Sequence, residues 1–96
     1  MSSKLLIHEK FILDVDSLIE IRVWHVPKPV EPSPHRFKYS AVYIVNEKRI
    51  VGYDNERGKG DHRHYYDKET PYNFISIETL LHDFKQDVER IRGSSI

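Results

Sequence analysis

Cysteine is absent from the 96 residues. That excludes a disulfide framework and any thiolate metal site, and it fits a reducing compartment. Long apolar runs are missing too. The opening MSSKLLIHEKFILD is broken at His8, Glu9 and Lys10, so it lacks the continuous apolar stretch of a signal peptide. No segment approaches the roughly 20 apolar residues of a membrane span. These absences lead us to expect a cytoplasmic protein that makes no use of a membrane. So short a chain leaves room for one core, hence a single domain over residues 1–96, with residues 93–96 as a disordered tail.

Net charge is also lacking, because fifteen Lys and Arg balance fifteen Asp and Glu. The distribution is uneven, however. From His35 to His64 there are seven cations (Arg36, Lys38, Lys48, Arg49, Arg57, Lys59, Arg63) against four acids (Glu47, Asp54, Glu56, Asp61). A zero total thus hides a basic middle able to meet a phosphate backbone. The same pattern also describes a solvated face of interspersed charges.

Periodicity gives the frame. Leu5 to Leu13 reads as a strand, Asp14 to Ser17 as a turn, and Leu18 to Val26 as a second strand that alternates Ile19, Ile21 and Val23 against Glu20 and Arg22. The tract PKPVEPSPH holds four of the five prolines and so makes a stiff extended connection rather than a ladder strand or a helix. Phe37 to Val45 is the clearest strand, with Phe37, Tyr39, Ala41, Tyr43 and Val45 on one side. Asn46 to Lys48 turns the chain into Arg49 to Tyr53, and His62 to Tyr66 can add a short fifth strand. Ser76 then offers an N-cap with Glu78 in the first turn. Ile77, Leu80, Leu81, Phe84, Val88 and Ile91 recur at helical spacing, and Gly93 ends the helix. The expected fold is α+β: an antiparallel four- to five-stranded sheet, built as two hairpins and covered by one C-terminal amphipathic helix.

Gly52 to His64, GYDNERGKGDHRH, stands apart. It has too many charged groups to bury unpaired, and Gly58 and Gly60 free its backbone, so it reads as a functional loop. His62 and His64, two apart, point to one side of an extended chain. Three readings follow. In metal-free RNA cleavage, His62 and His64 act as acid and base, Asp54 or Asp61 orients a histidine, and Lys59 with Arg57 and Arg63 stabilises charge on the phosphate. Histidine suits such work because it titrates near neutral pH. In a metal-dependent nuclease, His62, His64 and Asp54 or Asp61 hold a divalent ion. In the third reading the segment binds phosphate or a partner protein without chemistry. The metal-free reading is preferred, since H-x-H alone is a weak metal signal, and it implies no cofactor and no metal. Arg36 and Lys38 can join the same phosphate-binding surface, as can His35. His8, His25 and His82 are isolated and read as ordinary packed or exposed histidines. Trp24, Tyr39 and Tyr43 read as core, whereas Tyr53, Tyr65 and Tyr66 flank the charged segment and can either stack on bases or seal the sheet edge.

At SPHRFKY (Ser33 to Tyr39), GYDNERGKGDHRH (Gly52 to His64), PYNF (Pro71 to Phe74) and the helical LLHDF, the chain resembles the TumE family of toxin–antitoxin proteins, over nearly its whole length. The resemblance implies a small cytoplasmic growth inhibitor encoded beside a DNA-binding antitoxin that masks it. It makes ribonuclease activity, and with it an RNA target, the usual expectation, and it carries over no catalytic residue. An exposed edge strand in so small a sheet would also allow a homodimer.

Overall fold

The computed structural model describes residues 2–96. Six strands precede one helix: β1 (Lys4–Asp14), β2 (Ser17–His25), β3 (Phe37–Val45), β4 (Lys48–Glu56), β5 (Gly60–Tyr65), β6 (Lys68–Pro71) and α1 (Ile77–Arg92). They form a single sheet in sequence order, every neighbouring pair antiparallel. The α+β class and the covering C-terminal helix agree with the sequence pattern. The strand number does not, since the sheet has six strands rather than four or five. Strand β6 escapes periodicity because Lys68–Pro71 has no apolar alternation, and its proline is tolerated at the edge of a sheet.

The larger correction concerns Gly52 to His64. It is a hairpin, with β4 running through Glu56, a turn at residues 57–59, and β5 starting at Gly60. Its charges are accommodated because they alternate across the sheet and find partners on each side. The turn carries Gly58 and Gly60 at φ 87° and 79°, in the left-handed region that glycine enters without strain. The proline tract braces this turn: Gly58 donates its N–H to the Glu31 carbonyl at 2.8 Å. A side chain on Gly60 would meet Pro32 at 3.1 Å. At the adjoining end of β3, Asn55 replaces ladder bonds with its own amide. It accepts from the Tyr39 N–H at 3.0 Å and donates to the Phe37 carbonyl at 2.7 Å.

One face of the sheet receives the helix. Ser76 caps α1 by accepting from the Thr79 N–H at 3.1 Å, and Gly93 at φ 74° closes it through its N–H to the Glu89 carbonyl. Leu80, Phe84 and Val88, spaced four apart, bury against Ile19, Val23, Tyr39, Ala41, Tyr43, Val51 and Tyr53. Trp24 is not part of this core and remains 36% exposed. The helix lies over β3 and β4, which leaves β1 largely uncovered, with Leu5, Leu6, Phe11 and Ile12 exposed. Beyond Gly93 the chain returns toward the helix, and the Ile96 N–H reaches a Glu89 carboxylate oxygen at 3.0 Å.

Polar groups fasten the helix as well. Tyr53 donates to Asp87 Oδ2 at 2.6 Å and Arg63 Nε donates to the same oxygen at 2.8 Å, while Arg90 holds Oδ1 at 3.1 Å. Because Phe84 is 2% exposed at the centre of the interface, Phe84→Ala should destabilise the domain by about 3–5 kcal/mol. Ile12→Ala, at a site 68% exposed, should cost less than about 0.5 kcal/mol. Urea unfolding of the two variants measures the contrast, and equal losses would contradict this placement of the core.

Candidate functional site on the open face of the sheet

Register decides which charged groups meet. In β4 and β5, Asp54 pairs with His62 and Gly52 with His64. In β5 and β6, His64 pairs with Glu69. Side chains at paired positions share a face, so Asp54, His62, His64 and Glu69 gather on the side away from α1. Lys38 and Ser40 of β3 belong to this side too, since Ser40 pairs with Asp54 and the intervening Tyr39 points into the core.

His62 is 4% exposed. Its Nδ1 lies 3.0 Å from the Gly60 carbonyl, which can only accept, so Nδ1 carries a proton. Its Nε2 lies 2.5 Å from Asp54 Oδ1. That is ion-pair distance, yet no hydrogen bond joins the two, and both atoms are buried without a hydrogen-bond partner. His64 Nδ1 faces Arg49 Nη2 at 3.0 Å. A guanidinium only donates, so Nδ1 accepts and the His64 proton sits on Nε2, which stands at ion-pair distance, 3.1 Å, from Glu69 Oε2 without forming a hydrogen bond to it. Burial, and next the Arg49 charge, press the His64 pKa below its ordinary value. Desolvation works to raise the Glu69 pKa, but the Lys59 hydrogen bond and charge, with His64 and His62, bring it below the usual range. Lys59 reaches Glu69 at 3.4 Å, and Lys38 donates to the Asn55 carbonyl.

Two of these participants, Arg49 and Glu69, were not among the residues expected from sequence. Arg49 arrives through a register shift: Tyr43 pairs with Val51 but the next residue, Ile44, pairs with Arg49. The extra residue, Ile50, is a bulge that turns Arg49 onto the same face as His64. Gly52 makes room for it, since a Cβ there would stand 2.9 Å from Arg49 Cδ. A glycine inside a strand is the sequence signal for such a close approach. Glu69 gives no local signal and is identified only by the β5–β6 pairing.

The other expected site residues are elsewhere. Asp61 does orient a histidine, but it is His35: Asp61 Oδ1 takes the Tyr39 hydroxyl at 2.6 Å and lies 2.7 Å from His35 Nε2. His35 stacks on Phe74 with ring centroids 3.9 Å apart. Arg63 points to the helix side and is engaged by Asp87 and Tyr53. The Asp87 hydrogen bond raises its already high pKa further. Its guanidinium also covers the Tyr65 ring at 4.5 Å. Arg57 is exposed in the β4–β5 turn and Arg36 is exposed just before β3. Tyr53 is core rather than a stacking platform.

Ring-nitrogen NMR of the metal-free protein should find the His64 proton on Nε2. Arg49→Ala should remove that preference, and Gly52→Ala should weaken it by displacing the Arg49 stem. A His64 tautomer indifferent to both substitutions would contradict the contact.

Among the described residues no helix is long and apolar enough to cross a membrane. No curated protein matches the chain, and no solved structure matches it. A family model described as Toxin TumE matches residues 3–92, nearly the whole chain and all the strands and residues of the open-face cluster. The chain therefore belongs to the Toxin TumE family, a family of toxins whose role implies a cognate antitoxin.

Proposed function

We propose that this protein is the toxin of a toxin–antitoxin pair and acts by cutting RNA at the open face of the sheet. The observation that carries this reading is the convergence of Asp54, His62 and His64, whose donor atoms lie within 4.8 Å of one another. Cations ring them: Lys38 from β3, Arg49 from β4 and Lys59 from the turn, with exposed Arg57 and Arg36 farther out. Such an arrangement suits a phosphodiester, which must be gripped through its oxygens while charge builds on the phosphorus centre. Next to His62, Lys59, Asp61, Glu69, Thr70 and Pro71 line a hollow of about 160 Å³.

Proton exchange by His62 and His64 without a metal needs a bare nitrogen on each ring. In this geometry His62 commits Nδ1 to Gly60 and holds Nε2 against Asp54 without a hydrogen bond, whereas His64 commits Nδ1 to Arg49 and holds Nε2 at ion-pair distance from Glu69. The three residues are accordingly assigned to the scissile phosphate as a unit, and Glu69 and Arg49 as the groups that position His64. Asp61 and Arg63 fall outside this assignment because their side chains serve the opposite face. A second reading, binding without cleavage, draws support from the same closure of the cluster on itself.

RNA as target places the activity in the cytoplasm. The uncovered β1, with exposed Leu5, Leu6, Phe11 and Ile12, suits docking of an antitoxin, whether or not that protein also binds DNA. A second copy of this chain would fit the same edge.

Expression in a host should arrest growth, and Asp54→Asn or His64→Ala should abolish the arrest while circular dichroism still reports a folded chain. Arg63→Lys, on the other face, should leave toxicity in place. Full toxicity of both open-face variants would contradict the assignment.

A further inference from the structure

We infer that Asp54, His62 and His64 form a binding site for one divalent transition-metal ion of the zinc or manganese type, completed by Glu69. Two atoms lead to this. His62 Nε2 and Asp54 Oδ1 are both buried, both without a hydrogen-bond partner, and 2.5 Å apart. With Nδ1 of His62 donating to the Gly60 carbonyl, a neutral ring leaves a lone pair on Nε2 that faces an anionic oxygen. Two lone pairs at that distance in a buried site repel unless a cation lies between their directions. A proton on Nε2 would answer the charge as an ion pair, but it would make no hydrogen bond to Oδ1. A metal ion placed where both lone pairs converge satisfies both atoms.

The surroundings fit an ion. Backbone hydrogen bonding at one ring nitrogen is how proteins fix the tautomer of a ligating histidine, and Gly60 supplies it. His64 Nε2 is 3.9 Å from Asp54 Oδ1, and Glu69 Oε2 is 3.1 Å from His64 Nε2 and 4.0 Å from His62 Nε2. Donors bonded to a zinc-sized ion stand about 2.0–2.2 Å from it. Asp54, His62 and His64 offer donor atoms within 4.8 Å of one another, and Glu69 stands just outside that set, so loading draws the three donors inward, swings the Glu69 carboxylate in beside them and opens the His62–Asp54 contact. Two imidazoles and two carboxylates are a donor set for zinc, manganese or their neighbours rather than for magnesium. Two carboxylates also match the charge of a divalent ion.

Arg49 ties the ion to substrate. An ion on His64 Nε2 shifts the His64 proton to Nδ1, where Arg49 Nη2 now donates. Two donors cannot share that contact, so loading releases the exposed Arg49 guanidinium, which is then free to take a phosphate in bidentate fashion. As the cofactor of RNA cleavage the ion rests on the function proposed above; as an ion site it stands on the geometry alone.

Isothermal titration calorimetry of the metal-stripped full chain tests it, with zinc, manganese and magnesium chlorides as titrants and ring-nitrogen NMR alongside. The expected result is one zinc or manganese per chain, with little response to magnesium. The ring signals of His62 and His64 should shift and those of His8, His25 and His82 should not. Asp54→Asn should weaken binding at least ~30-fold, and His82→Ala should leave it unchanged. Absence of binding by the native chain, or shifts confined to His8, His25 or His82, would overturn the site without reference to any variant's folding. RNA is not in the cell, so the two proposals fail separately. Binding without any RNA cleavage sinks the nuclease and supports the ion site, and cleavage by a chain that binds no ion does the reverse.

Discussion

Antiparallel pairing of Asp54 with His62 across β4 and β5 is the constraint from which the rest of the molecule follows. Because a strand alternates sides every residue, this one register sends Tyr53, Asp61 and Arg63 toward the helix and Asp54, His62 and His64 away from it. A slip of one residue would exchange the two sets, placing imidazoles against Phe84 and Asp87. The register is held by the proline tract bracing the turn, by Asn55 joining β4 to β3, and by the Tyr53 and Arg63 bonds to Asp87. Each of these would be lost in a shifted hairpin, with buried polar groups left unpaired.

Two polar assemblies back to back on a thin sheet result. On the helix side, Asp87 collects Tyr53, Arg63 and Arg90, and burial together with the Asp87 hydrogen bond lifts the Tyr53 pKa above its ordinary value. This assembly is neutralised and closed, and its work is to seat α1. On the open side the charges do not close as well. His62 and Asp54 face each other without a hydrogen bond, and Arg49 spends its guanidinium on an imidazole rather than a carboxylate. Incomplete satisfaction of buried polar atoms is a strain reservoir that functional sites use, and two such atoms, Asp54 Oδ1 and His62 Nε2, face each other on the side free of the helix.

Much of this was legible in the chain. The helix was marked at both ends by Ser76 and Gly93 and along its length by an apolar stripe. The β3 alternation separated Tyr39, Ala41 and Tyr43 from Lys38 and Ser40. What the composition of Gly52 to His64 could not reveal was that its charges are paired, because the partners Asp87, Tyr39 and Phe37 lie far away in sequence. A stretch that looks unfit for a sheet when its residues are counted becomes a hairpin once long-range partners are supplied. His62 and His64 did announce a shared face through their spacing of two. Arg49 depends on a bulge, and Glu69 on a four-residue strand lacking alternation, so neither had a periodic signature to detect. The family resemblance, carried by that same tract, agrees with membership in the TumE toxin family.

The central claim is that the open face of this toxin cuts RNA with a metal ion held by Asp54, His62 and His64. Its most direct test is cleavage of total cellular RNA by the purified protein, before and after EDTA, and again after the ion is restored. The account predicts cleavage that EDTA stops and that zinc or manganese restores. Cleavage untouched by EDTA, or intact RNA under every condition, would contradict it.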